Sequence, residues 1–537
     1  MVANKSLFKS QAPSRIAPPT TTVNEAGGVA YSLSDEAALA QFAVTGTFNN
    51  TFYSTAETQL ATVKALASKV SPEMLAKIAV YSRETAYMKD MSAFLLAVLL
   101  VRDPELFQKV FFRVVDNGKM LKNFVQIVRS GQVERKSFGS MPKRLIRLWL
   151  ERRTNEQLLN DSVGNDPSLA DIIKMVHPRP NNNERAALYA WLIGKDPKTG
   201  SDTLPACVQQ FEAFKAGKPD KRVVPENLNF QLLTAQNLSP NEWKSLVRGM
   251  KWQATRMNLN TMLRHGVFED AEMVNHVANK LSDANNVKRA QVFPYQLFVA
   301  YKHAENVPVQ VTNALQVAME HATANIPSLP GKKVLIAVDH SGSMTVPVTG
   351  TQAHGVSSKV MCNDVAALLA ACWIRKNPNS FDVLKFDTTA KRISINPMDS
   401  TLTIARTIGS DGGGTDCSAP LKLWNSEGAK GDVVVILSDN QSWLDNDHTG
   451  TSLMREWLQF KRRNPKAVLV CVDLAAAAHS QAPNAPDRLN VGGFSDAVFD
   501  TVAAFVLNNT DSNEYWIQKI NESVKLDEPV AQRLLNE

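Results

Sequence analysis

The residues with the most evident chemical use lie at the end of an apolar run, where VLIAV is followed by Asp339, His340, Ser341, Gly342 and Ser343. Two further stretches carry matching groups. In SDGGGTD, Thr415 follows three glycines that let the backbone approach closely, and in ILSDN an apolar run ends on Asp439. Aspartate, serine and threonine side chains are hard oxygen donors, suited to Mg2+ or Mn2+ and poorly suited to zinc. Asp339, Ser341, Ser343, Thr415 and Asp439 are therefore expected to hold one divalent cation.

Other chemistries fit these residues less well. A serine nucleophile needs a histidine base oriented by an acid, and His340, adjoining Ser341 in sequence, would point to the opposite side. The loop DHSGSM lacks the Gly-x-Ser-x-Gly elbow, and SDGGGTD lacks the Gly-Lys-Ser/Thr ending of a phosphate-binding loop. A two-metal nuclease would need several more clustered acids. No catalytic residue is assigned, and binding rather than turnover is expected. His354 and His448 read as solvated loop residues.

For these donors to meet, the strands that carry them must end along one edge. From Val334 onward, short apolar runs (VLIAV, FDVLKF, DVVVILSD, AVLVCVDLA) alternate with helical patterns. This predicts a mostly parallel, doubly wound α/β sheet covered on both faces, with ligands beyond the carboxyl ends of its strands. Upstream, from about Tyr31 to His321, apolar residues recur at helical spacing through segments that open on Ser or Asp caps, such as SPEMLAKIAVYSRET and DPELFQKVFFRVVD. Such a run predicts an all-α helical-repeat array, more a binding platform than a deep catalytic pocket. The expected divisions are a flexible arm over 1–28, a helical domain over 29–325, a Pro/Gly linker over 326–333 (IPSLPGKK), the α/β domain over 334–510 and a terminal helix over 511–537.

A chain of 537 residues exceeds what one core can organise, and its 44% hydrophobic content excludes global disorder. The five cysteines are odd in number and set in apolar runs, as expected of reduced core thiols in a cytoplasmic protein. The longest uncharged apolar run, Met91 to Val101, has 11 residues, against the ~20 of a membrane span. The amino terminus lacks the apolar core of a secretory signal.

Charge is segregated. Residues 1–330 carry 39 Lys+Arg against 29 Asp+Glu, whereas residues 331–537 carry 20 against 23. The excess gathers between Phe111 and Arg153, with 11 basic residues against 3 acids, including Lys119, Lys122, Arg129, Arg135, Lys136, Lys143 and Arg144. In SMPKRLIRLWLERR, helical spacing puts Lys143, Arg144 and Arg147 opposite Leu145, Ile146, Leu148, Trp149 and Leu150, leaving a basic face free to meet phosphates. DIIKMVHPRPNNNER adds Lys174, His177 and Arg179 beside amide residues, a mixture suited to single-stranded RNA. His177 could equally cap the preceding helix.

The Asp-x-Ser-x-Ser run with a later Thr and Asp resembles the metal-ion-dependent adhesion site of von Willebrand factor A domains. That resemblance implies a cation with an open position filled by a partner's acidic group. The order of a helical array followed by an A domain resembles the Ro autoantigen family, whose amino-terminal part is the TROVE module. The matching stretches include GTFNNTFY, YSRETAYMKDMSAFLLAVLL, ERKSFG, KMVHPRP, MNLNTMLRHGVF and FPYQLFVAYK. The resemblance implies a HEAT-like helical ring followed by a Rossmann-like A domain, in a monomeric bacterial member. It also implies partners: small noncoding Y RNA, single-stranded ends of misfolded RNA, and an exoribonuclease such as polynucleotide phosphorylase, in RNA turnover and stress survival. By motif it carries RNA contacts onto Arg135, Lys136, Lys174, His177 and Arg179. The competing reading is a metal-dependent A-domain protein whose helices bind protein, without RNA.

Overall fold

The computed structural model describes residues 17–526 apart from 165, 198–202, 226–227, 353–354, 357–358, 410–411, 444–448 and 509–513. Residues 1–16 of the expected arm, His354, His448, Ser410 and Asp411 lie outside the described residues. The chain forms two compact units. One joins the residues up to Leu66 with Thr323–Ile520, and the other comprises Ala67–Ala322 with the residues from Asn521 on.

Among the described residues the regular elements of the second unit are all helices, and they begin where the sequence supplies oxygen acceptors for free backbone N–H groups. Ser71 and Asp103 cap Pro72–Glu84 and Pro104–Val114, each with proline in the first turn. Thr154, Ser168 and Ser239 form capping boxes with Gln157, Asp171 and Glu242. Asp90–Arg102 buries nine of its 13 residues, and Phe107, Phe111 and Phe124 pack ring against ring 5.5–5.7 Å apart. Among the described residues, no helix is long and apolar enough to cross a membrane.

The first unit is built on a six-stranded sheet in the order Arg488–Gly492, Val468–Asp473, Val433–Ser438, Val334–Asp339, Phe381–Phe386, Ala390–Arg392. Neighbours are parallel except for the last, which runs antiparallel to Phe381–Phe386. Val334–Asp339 and Val433–Ser438 are buried along their whole length, as central strands covered on both faces must be. Cys362–Lys376 supplies a nearly continuous buried cover, with Trp373 edge-on to Phe499. All five cysteines are buried thiols outside any disulfide.

Three expected divisions differ from what forms. Residues 17–28, read as flexible, are tied down. Thr22–Val23 pairs with Val29–Ser32, which pairs in turn with His479–Ser480 in the same unit. Tyr31 Oη donates to the Pro18 carbonyl at 2.8 Å. The helix Asp35–Thr45, expected in the helical domain, belongs with the sheet, because Gln41 Nε2 donates to the buried Asp473 carboxylate at 2.5 Å. The expected linker 326–333 is no spacer either: Ile326 and Leu329 are buried, and the Leu329 N–H donates to Asn377 Oδ1 at 2.9 Å.

Candidate functional site

The parallel strands deliver the expected donors to one edge. Asp339 ends Val334–Asp339, and Asp439 follows Val433–Ser438, the adjacent strand. All five side chains, Asp339, Ser341, Ser343, Thr415 and Asp439, are buried. The Asp339 carboxylate accepts from the Ser341 N–H at 2.8 Å and from Ser438 Oγ at 2.5 Å. Ser341 Oγ and Ser343 Oγ lie 3.2 Å apart, and Asp439 accepts from Ser343 Oγ and from the Gln441 N–H at 3.2 Å.

Thr415 reaches this edge through glycine. Gly412 has φ 81°, and a Cβ on Gly413 would come within 2.7 Å of an Asp387 carboxylate oxygen. That close fit lets the Gly413 carbonyl accept from the Gly342 N–H at 2.8 Å, joining the Thr loop to the Ser loop. The neighbouring acid, Asp416, is already committed to Ser418 and to Lys422, 2.8 Å away.

Burial pushes the Asp339 carboxyl up to about 7, with Asp439 adding to the effect, and burial also raises Asp439. Two buried acids among hydroxyl oxygens form an electronegative pocket that a cation would neutralise. His340 is buried as well.

Three residues at this edge escaped the sequence reading. Tyr53 shares a hydrogen bond with Ser343, Glu25 faces the same cavity of about 170 Å3 as Ser343 and Asp439, and Trp443 lies over Gly414 and is 47% exposed. Glu25 and Tyr53 come from stretches without metal-ligand spacing, and Trp443, four residues after Asp439, is not an oxygen donor, so no signal of ligand chemistry marks them.

The basic residues divide by what their side chains already do. Lys119, Arg129, Lys136, Arg144, Lys174, His177 and Arg179 are exposed, and Lys143 is half-buried. Arg144 also donates to Gln108 at 3.0 Å. Arg135 turns back on its own loop, donating to the Ser137 and Phe138 carbonyls at 2.7 and 2.8 Å. Lys122 is a correction: it is buried, its ammonium donates to the Val163 carbonyl, and burial lowers its pKa. It holds the chain after Asn155–Asp161 instead of facing a ligand. Lys122→Ala is expected to cost roughly 1–3 kcal/mol of stability, by leaving Val163 without its donor, and to leave RNA affinity unchanged. Paired chemical denaturation and filter binding check this.

Arg129 and Lys174 meet around Asp171, lowering its pKa after the larger effect of its hydrogen bonds from Ser168. His177 caps the preceding helix through its backbone and keeps its side chain exposed. Its backbone, at φ 49°, closes the helix Leu169–Val176 with its N–H on the Ile173 carbonyl, while its side chain lines a cleft of about 540 Å3 with Arg147, Glu151, Arg179, Asn181 and Tyr189. Arg147 Nε donates to the Val176 carbonyl at 2.5 Å, placing SMPKRLIRLWLERR beside KMVHPRP.

Residues 102–361 match the family model of the TROVE domain, and residues 333–506 match that of the Ro60 vWA domain. The chain belongs to the Ro family. This Ro-family chain is 25% identical over 522 residues to a Deinococcus radiodurans protein named RNA-binding protein RO60, covering 90% of this chain and 94% of that protein. A Caenorhabditis elegans protein of the same name is 24% identical over 284 residues, covering 49% of this chain and 41% of that one. The crystal structure of the Deinococcus radiodurans RO (RSR) protein superposes with a TM-score of 0.60 at 21% identity, covering 89% of this chain and 100% of that chain, a likeness of fold.

Proposed function

We propose that this Ro-family chain is an RNA-binding scaffold without catalytic activity of its own. Its TROVE domain takes the nucleic acid, and the edge of its A domain holds one Mg2+ or Mn2+. The observation that carries the reading is the TROVE-domain surface where Lys174, His177 and Arg179 are exposed beside a cleft lined by Arg147, Asn181 and Tyr189. Guanidinium and ammonium groups meet phosphates there, and the amide and imidazole meet unstacked bases. The names of the relatives agree with it.

The finer reading is that the partners are a small noncoding Y RNA and single-stranded ends of misfolded RNA, handed on to an exoribonuclease such as polynucleotide phosphorylase in the cytoplasm. A cation bound by Asp339, Ser341, Ser343, Thr415 and Asp439 would present an open position to an acidic group. Asp339 and Asp439 supply its charge compensation, and the hydroxyls complete the oxygen set.

Binding of a labelled Y-type RNA, measured by gel shift from about 50 to 200 mM salt, is expected to weaken roughly a hundredfold if about five phosphates are neutralised. Absent or salt-independent binding would sink the reading. RNA that stays intact during prolonged incubation with the protein and Mg2+ would separate a scaffold from a nuclease.

A further inference from the structure

The sheet alone does not complete the cation edge. The turn between Thr22–Val23 and Val29–Ser32 lies against the loop that follows Asp439. Asn24 Nδ2 donates to the Ser442 carbonyl at 2.6 Å, and the Ala26 N–H donates to Gln441 Oε1 at 3.3 Å. A Cβ on Gly28 would come within 2.0 Å of the Ser442 carbonyl oxygen, so the two backbones approach as closely as only glycine permits.

This packing brings one carboxylate, Glu25, to the mouth of the cavity that Tyr53, Ser343 and Asp439 line. Glu25 is held in position. It accepts from Gln441 Nε2 at 2.6 Å and from the buried His479 Nε2. Burial pushes its pKa up, but the hydrogen bond and electrostatic attraction of His479, together with the hydrogen bond from Gln441, outweigh burial and leave it below the usual range. Its carboxylate thus lines the same cavity as Ser343 and Asp439.

We propose that Glu25 is a specificity-determining residue of the cation edge: a resident carboxylate that disfavours free acids and admits only a partner able to offset its charge. The proposal rests on the cation reading above. A carboxylate entering the cavity meets the like charge of Glu25 at short range in a partly desolvated space, where repulsion is strong. Glu25 is also tethered, so its own claim on the cavity does not fall with dilution. A partner that brings a hydrogen-bond donor or cation beside its acid neutralises Glu25, whereas acetate does not.

The test uses the full chain, with Mn2+ and acetate as probes. Manganese binding is followed by the loss of the free Mn2+ paramagnetic resonance signal, and acetate binding to the Mn2+-loaded protein by calorimetry. Wild type, Glu25→Gln and Glu25→Ala are all expected to bind Mn2+, and the two variants to bind acetate about tenfold more tightly than wild type. Glu25 is 39% exposed in a turn, and matching thermal melts would confirm that the variants fold. Mn2+ binding with the same acetate affinity in all three proteins would overturn the proposal and leave the cation reading standing. No Mn2+ binding by wild type would overturn both.

Discussion

Replacing Lys174 and Arg179 together by glutamate is expected to weaken RNA binding by at least about a hundredfold near 100 mM salt, with the folded state essentially as stable as before. Both side chains are exposed at the end of Leu169–Val176, so the reversal swings the local charge by four without opening the core. Each lost phosphate contact also removes a released counterion. The dependence of log affinity on log salt should therefore flatten by about 1–2. The stability cost is confined to Lys174, whose place in the last helical turn favours the helix dipole by about 0.3–1 kcal/mol. Filter binding at four salt concentrations, with thermal melts alongside, checks both halves. Unchanged affinity in a folded double variant would mean that the nucleic acid lies on another surface.

The second large effect concerns the buried acids. Asp439→Asn is expected to abolish Mn2+ binding and yet to leave the cation-free protein at least as stable as wild type at pH 8. The sign follows from Asp339. Its pKa is about 7 in the folded chain and about 3.9 when unfolded, so between those values the folded state binds more protons. Stability is thus lost as pH rises from about 4 through 7, and the penalty of the buried charge is complete above 7. Removing Asp439 lessens that penalty, because its charge adds to the burial that raises Asp339.

A bound cation offsets the same penalty while competing with the proton on Asp339. Mn2+ at about a hundred times its dissociation constant should stabilise wild type by about 2.7 kcal/mol. At any fixed concentration the gain should be larger at pH 8 than at pH 5.5, and nil in Asp439→Asn. Thermal melts with Mn2+ or with EDTA at the two pH values measure this. Equal stabilisation at both would show that proton release from Asp339 is not linked to cation binding.

Much of the edge proposed to hold a cation was legible in the chain because each oxygen donor is tied to a strand or a glycine loop by local sequence. Asp339 and Asp439 follow apolar runs that form central strands, and strand pairing then brings them to one edge. Glu25 and Tyr53 were not legible, since they reach the edge through a hairpin and a loop more than 280 residues upstream, and long-range packing leaves no spacing to read. The basic surface was legible in outline only. Lys122 sits in Gly118–Ser130, whose Met120, Leu121, Asn123, Phe124 and Val125 are also buried, so charge alone could not reveal that its ammonium is used internally.

The amino-acid sequence by itself determined the order of a helical array and a parallel α/β domain, the five oxygen donors and the basic excess of the first part. These are set by periodicity, strand-end chemistry and composition, which act over a few residues. Only the tertiary structure decided that residues 17–66 pack with the sheet, that Lys122 and Arg135 spend their charges on backbone carbonyls, and that Glu25 stands beside the buried acids. Those outcomes depend on which groups meet across hundreds of residues. A buried donor or acceptor takes whichever partner the packing brings near, because leaving it unpaired costs about 1–3 kcal/mol.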